Sequence, residues 1–198
     1  MLAAESLFAE YGLHGASLRM IGEAANQKNA SAIQYHFGTR DKLVEAVFEN
    51  RMQYVNPKRL KRLDELERTG QTGDVRALLG VWVWPLAEEL QPRPEGNHYL
   101  QFLARSLREK HLAVPAMPQK FMSGLLKLGE LLLVQMKHLP NEIAHMRIVM
   151  IAEGGLTALA RFEEEGLSDP ALIETRIENL LDMMAASLVV PYSGPTLR

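Results

Sequence analysis

The chain has 198 residues, 47% of them hydrophobic and 23% charged, which suits one large domain or a small domain joined to a larger one and excludes a disordered segment. It has no cysteine, so disulfide scaffolds, thiolate metal sites, iron–sulfur clusters and cysteine nucleophiles are excluded. The net charge of −2, from 22 Lys and Arg against 24 Asp and Glu, leaves any attraction for polyanions to a local patch. No basic leader opens the chain and no apolar run approaches the roughly 18 residues of a membrane span, so the reading is a cytoplasmic protein without a membrane partner.

Apolar residues recur at three and four throughout, and alternating β-branched runs are missing, so an all-α fold of about ten helices is expected. The first helix covers 2–11, buries Leu7 and Phe8, and stops at Gly12. A second opens at Ser17, a good N-cap, and carries Leu18, Ile21, Ala24 and Ala25. A third occupies 30–37 behind Asn29 and ends at Gly38. A fourth follows Thr39 and places Leu43, Val44, Val47 and Phe48 on one face. Asn56-Pro57 reads as a cap with proline at the first helical position, so a break is expected there, followed by a basic helix through Lys58, Arg59, Lys61 and Arg62. Beyond Gly73 a helix strings Val75, Leu79, Trp82, Leu86 and Leu90 along one stripe, kinked at Pro85. After a loop at 91–96, further helices are expected over 97–110, 115–138, 141–165 and, behind the Asp169-Pro170 cap, to Val190. The organisation is lopsided: a small unit over 1–40, a larger one over 41–190 and a frayed tail over 191–198. The small unit should pack against the fourth helix, being too short for a large core of its own.

The helices at 17–25 and 30–37, joined by the tight segment 26–29, form a helix-turn-helix pattern. In such a pair a short helix projects polar groups into the major groove while the other crosses the backbone. Ala30, Ser31 and Gln34 would supply those groups, with Ile33 and Phe37 turned inward. Three spaced blocks accompany the pattern: Leu7-Phe8-Ala9-Glu10-Tyr11-Gly12, Ser17-Leu18-Arg19-Met20-Ile21, and Tyr35-His36-Phe37-Gly38-Thr39-Arg40-Asp41-Lys42-Leu43. Together they closely resemble the N-terminal signature of the tetracycline-repressor (TetR) family of bacterial transcriptional regulators.

The resemblance covers the first quarter of the chain. It implies an N-terminal three-helix DNA-binding domain followed by a larger helical domain for ligand binding and dimerisation. The homodimer would bind a palindromic operator, most often as a repressor, and respond to a small-molecule inducer, with no catalysis and no cofactor. Carried over by position, it implies phosphate contacts from Ser17, Tyr35, His36 and Arg40, with Arg19 and Lys42 nearby. Base contacts would come from Ala30, Ser31 and Gln34, with Lys28 and Asn29 in the turn beside them; a glutamine can bond adenine through N6 and N7. It also implies further, often basic, residues ahead of the position of Met1. Residues 1–50 hold four basic residues (Arg19, Lys28, Arg40, Lys42) against six acids (Glu5, Glu10, Glu23, Asp41, Glu45, Glu49), a balance of −2. The alternative reading is a helical ligand- or partner-binding module without strong DNA affinity.

In the larger unit, Trp82, Phe102, Phe121, Met122, Met146 and Met150 are candidates to line an apolar ligand cavity, set against plain core packing. Glu153 shares a helical face with Met146, Met150 and Thr157 and is a candidate for a cationic ligand or an internal ion pair. Gly154 and Ala158 would allow close helix approach, with Ile173, Ile177, Leu181, Met184 and Leu188 as the complementary stripe of a two-chain, four-helix interface. His138, Glu142 and His145 have metal-like spacing, but Pro140 separates them and no metal site is expected.

Overall fold

A computed structural model describes residues 1–26, 31–91, 96–109 and 118–195; the side chains of Ser31 and Ala32 fall outside it too. Among the described residues the regular structure is helical, without a strand. The N-terminal helices are α1 (Leu2–Gly15), α2 (Leu18–Ala24) and α3 (Ser31–Phe37), leading into the long α4 (Arg40–Arg68). Gly12 breaks α1 where expected, with φ 80° and ψ 168°, a conformation open to glycine and strained for other residues. A further turn follows to Gly15. The break leaves the N–H groups of Leu13 and His14 without helical acceptors, and the Glu109 carboxylate takes both, at 3.1 and 3.0 Å.

The expected break at Asn56-Pro57 does not occur, and α4 runs unbroken for 29 residues. Pro57 and Gln53, whose carbonyl the proline cannot bond, are both exposed. An interior proline costs about 3 kcal/mol. Burying Met52, Val55 and Leu63, each contributing about 1.5–3 kcal/mol, outweighs that. The helix following the proline is accordingly not a free basic surface: Arg59 is buried.

Behind these lie α5 (Val75–Ala87), α6 (Tyr99–Arg108), α7 (Ser123–Gln135), α8 (Asn141–Glu164) and α9 (Pro170–Val189). Asp74 caps α5 through the N–H groups of Arg76 and Ala77, and Asp169 caps α9 through Ala171, as its Asp-Pro signature predicts. Pro85 lies buried in the last turn of α5, after which the chain tightens into a 3-10 turn at Glu88–Leu90. The helix expected over 115–138 is shorter, because its start is a separate 3-10 turn at Gln119–Phe121; residues 110–117 lie outside the described ones. The core is continuous from α1 into the body: Phe102 of α6 meets Phe48 of α4 at 4.9 Å and Phe8 of α1 at 6.1 Å between ring centres.

Two expectations need correction. The α8 segment is long and apolar enough, by length and composition, to cross a membrane, because Ile, Val, Met, Leu and Ala keep its hydropathy up around Arg147 and Glu153. It packs here against α6 and α9. The stripe Ile173, Ile177, Leu181, Met184 and Leu188 is buried against the chain's own α5 and α8, so it does not meet a second chain. A helical period shows which residues share a face, and the same face suits an internal or an external neighbour.

Candidate nucleic-acid interface

Gly22 is buried where α2 crosses α3, and a Cβ built there would sit 3.5 Å from Ile33, in ordinary contact. Ile33 and Phe37 turn inward against the core. This fixes α3 with Gln34, Tyr35 and His36 facing solvent. Tyr35 is 87% exposed, so it is not packed on α1, and its ring meets that of His36 edge-on at 5.6 Å. Both neighbouring starts are capped: Ser17 Oγ accepts from the Met20 N–H at 3.2 Å, and Thr39 Oγ1 from the Lys42 N–H at 3.2 Å.

The charges sort by partner. Arg19 pairs with Glu23 at 2.9 Å and Lys42 with Glu45 at 2.6 Å, all exposed. Each carboxylate, by its hydrogen bond and then its charge, holds its cation above the ordinary pKa. Glu5 is buried against Arg51 of α4, so its charge is withdrawn from the surface of the head. Arg40, three residues past α3, donates Nη1 to the His14 carbonyl at 2.9 Å and makes no ion pair among the described residues. A guanidinium steered by a backbone carbonyl and lacking a carboxylate suits a phosphate oxygen. Lys28, Asn29 and Ala30 lie outside the described residues, as does the side chain of Ser31.

In the body, a cavity of about 110 Å³ is lined by Leu79, Trp82, Leu125, Leu128, Ile151 and Met184 among others. Of the residues expected to line one cavity, it holds Trp82 alone. Phe102 is core, Phe121 is buried beneath Lys120, and Met122 is half-buried ahead of α7. Met146 and Met150 are exposed on the outer face of α8, and Glu153 is half-buried beside them. Gly154 is open, with no atom within 4 Å of a built Cβ, and Ala158 packs against the core. The close approach belongs instead to Gly155, whose Cβ would lie 2.9 Å from Trp82 and 3.2 Å from Met184. His138 and His145 bond the carbonyls of Val189 and Asn141, and among the described residues no three His, Asp or Glu side chains converge as for a metal.

Several polar residues escaped the sequence reading. Arg51, 2% exposed, donates Nε and Nη2 to the two Glu5 oxygens at 2.7 and 2.6 Å, Nη1 to Glu89 at 3.3 Å and Nη2 to Asn97 at 3.0 Å. Glu163 of α8 caps α6 through the N–H groups of Leu100 and Gln101, at 3.1 and 3.0 Å. The available signal was spacing: Phe48, Met52, Val55, Arg59 and Leu63 recur at three and four on one face of α4 once Pro57 is allowed inside the helix.

A helix-turn-helix with an exposed polar reading helix, set on a helical body, defines a DNA-binding transcriptional regulator. Residues 1–47 match the family model for bacterial regulatory proteins of the tetR family. No curated protein matches the chain.

Proposed function

We propose that the chain is a ligand-responsive repressor that binds a palindromic operator as a homodimer from the cytoplasm. Its head, 1–40, reads DNA, and its body, 41–190, binds ligand and dimerises. Gln34 reads bases together with Ala30 and Ser31. Ser17, Tyr35, His36 and Arg40 hold phosphates, with Arg19, Lys28, Asn29 and Lys42 at the edge. The observation that carries ligand response is the join between body and head. Glu109, at the end of α6, caps the broken end of α1 at Leu13 and His14, and the His14 carbonyl holds Arg40. A shift of α6 therefore reaches a phosphate-binding side chain through two consecutive hydrogen bonds.

Dimerisation is supported by the outer faces of α8 and α9. Met146, Val149, Met150, Leu172 and Met183 are exposed there, beside the open Gly154. Two such helix pairs would make a four-helix interface. Ligand response then works by setting the spacing of the two heads, since one spacing matches successive major grooves about 34–36 Å apart. Fluorescence anisotropy on the DNA upstream of the protein's own coding region, over a salt series, tests the reading alongside sedimentation. Binding by a dimer with a steep salt slope is expected. A monomer with no preference over random DNA would overturn it.

A further inference from the structure

The body buries a second arginine that, unlike Arg51, is paired with no acid among the described residues. Arg59 is 1% exposed, and its Nε and Nη1 have no hydrogen-bond partner among the described residues. Two more orphans accompany it: Asn56 Oδ1 on the preceding turn of α4 and the hydroxyl of Tyr99, at the start of α6, which is 0% exposed. The group lies under α7, where a Cβ on Gly124 would sit 3.6 Å from both Asn56 Oδ1 and Arg59 Cδ. The nearby acids are engaged elsewhere, both oxygens of Glu5 and one of Glu89 being on Arg51.

A buried charge without a counter-charge is among the most unfavourable arrangements in a folded chain, and a guanidinium does not escape by losing its proton. Burial lowers the Arg59 pKa and raises that of Tyr99, so the phenol keeps its proton as a donor. We propose that Arg59, Tyr99 and Asn56 form the recognition site for the effector, a small organic carboxylate. The guanidinium and the phenol donate to its carboxylate, and Asn56 Oδ1 accepts from a hydroxyl or N–H on the same molecule. This rests on the ligand-response reading above and names the chemical class of its ligand.

The test is a thermal-shift and calorimetric panel on the full chain in chloride-free buffer. The probes are linear and aromatic monocarboxylates of two to twelve carbons and the primary amide of each, with sodium chloride as a further arm. Acids are expected to stabilise the wild type and their amides to bind roughly ten- to hundredfold more weakly, the usual worth of a charge-assisted hydrogen bond. Arg59→Met should melt at or above the wild-type temperature without ligand and lose the response to acids. Tyr99→Phe, which removes only the hydroxyl, should keep the fold and bind the same acids several-fold more weakly. Equal shifts from acids and amides would overturn the anion assignment and leave ligand response standing. Equal shifts from chloride and organic acids would reduce the site to an adventitious ion only. If nothing in either panel shifts the wild type, or if Arg59→Met keeps the acid response, the assignment fails.

Discussion

Arg51→Met tests whether the buried ionic cluster holds α1 to the body. The guanidinium links Glu5 of α1 to Glu89 and Asn97 by four hydrogen bonds at 2.6–3.3 Å, and lies 5.4 Å from the centre of the Tyr99 ring. The two ion-paired acids are as buried as the arginine, at 2% and 4% exposure. Methionine fills much of the same volume but strips both Glu5 oxygens of their guanidinium bonds, leaving one on the His98 N–H at 3.1 Å. Removing one member of a buried pair costs about 3–5 kcal/mol, a large part of the roughly 5–15 kcal/mol that holds a domain together. For a chain of this length that lowers Tm by about 6–20 °C. Urea denaturation at fixed protein concentration, followed by circular dichroism, measures the loss directly. The triple variant Glu5→Leu, Arg51→Met, Glu89→Leu removes the charges together and should recover most of it, because well-packed apolar groups replace a buried ion cluster at little or no net cost. A loss below about 1 kcal/mol in the single variant, or a triple variant less stable than the single, refutes the reasoning.

The adjacent glycines of α8 should separate fold from assembly. Gly155→Ala meets Trp82 and Met184 and should cost about 1–3 kcal/mol by urea denaturation, whereas Gly154→Leu should keep the helical spectrum and lower the dimer mass seen by light scattering. Gln34→Ala should cost about 1–3 kcal/mol on operator and little on random DNA, while Arg40→Ala weakens both and reduces the salt slope by about 1 per monomer, as anisotropy titrations would show. Glu109→Ala leaves the Leu13 and His14 N–H groups without their acceptor, so it should weaken operator binding while leaving calorimetric ligand binding to the body unchanged. Burial raises the Glu163 pKa against the Gln101 and Leu100 N–H donors that pull it down. The folded state therefore holds a proton that the unfolded state releases. Its contribution to stability is full below the unfolded pKa, near 4.3, and is lost as pH rises through the folded value. Glu163→Gln should flatten that slope in pH-dependent denaturation.

Local signals made the element order legible. Ser17, Thr39 and Asp169 cap the helices they were read to cap, and Gly12 interrupts α1 because its φ of 80° is one that glycine takes without strain. The signal at Asn56-Pro57 was equally local and misled, since what keeps α4 unbroken there is burial of Met52, Val55 and Leu63 against elements distant in sequence. The outward face of α3 followed from Ile33 and Phe37 turning inward, so Gln34, Tyr35 and His36 were readable as an exposed set. The body's site was not. Arginine is read as surface by default, and only the three-dimensional neighbours separate Arg51, which is paired, from Arg59, which has no acid among the described residues.

The polar contacts missed by sequence are also the ones that join the parts of the molecule. Helix α6 is ten residues long, about 15 Å, and both its ends are pinned by carboxylates. Glu163 from α8 holds its first turn, and its own Glu109 holds the broken end of α1. Tyr99 opens this helix within the cluster around Arg51 and beside Arg59. Packed apolar contacts alone tolerate small slides, but a carboxylate shared between two backbone N–H groups has a narrow geometry and breaks when either end moves. A ligand that engages Arg59 and Tyr99 therefore acts on the start of the helix whose far end positions His14, and with it Arg40. The charge on Arg59 belongs to the same logic. Among the described residues its cost is uncompensated, and a ligand that neutralises it gains affinity by relieving that cost; it would shift a conformational equilibrium only so far as Arg59 is less buried in the other state.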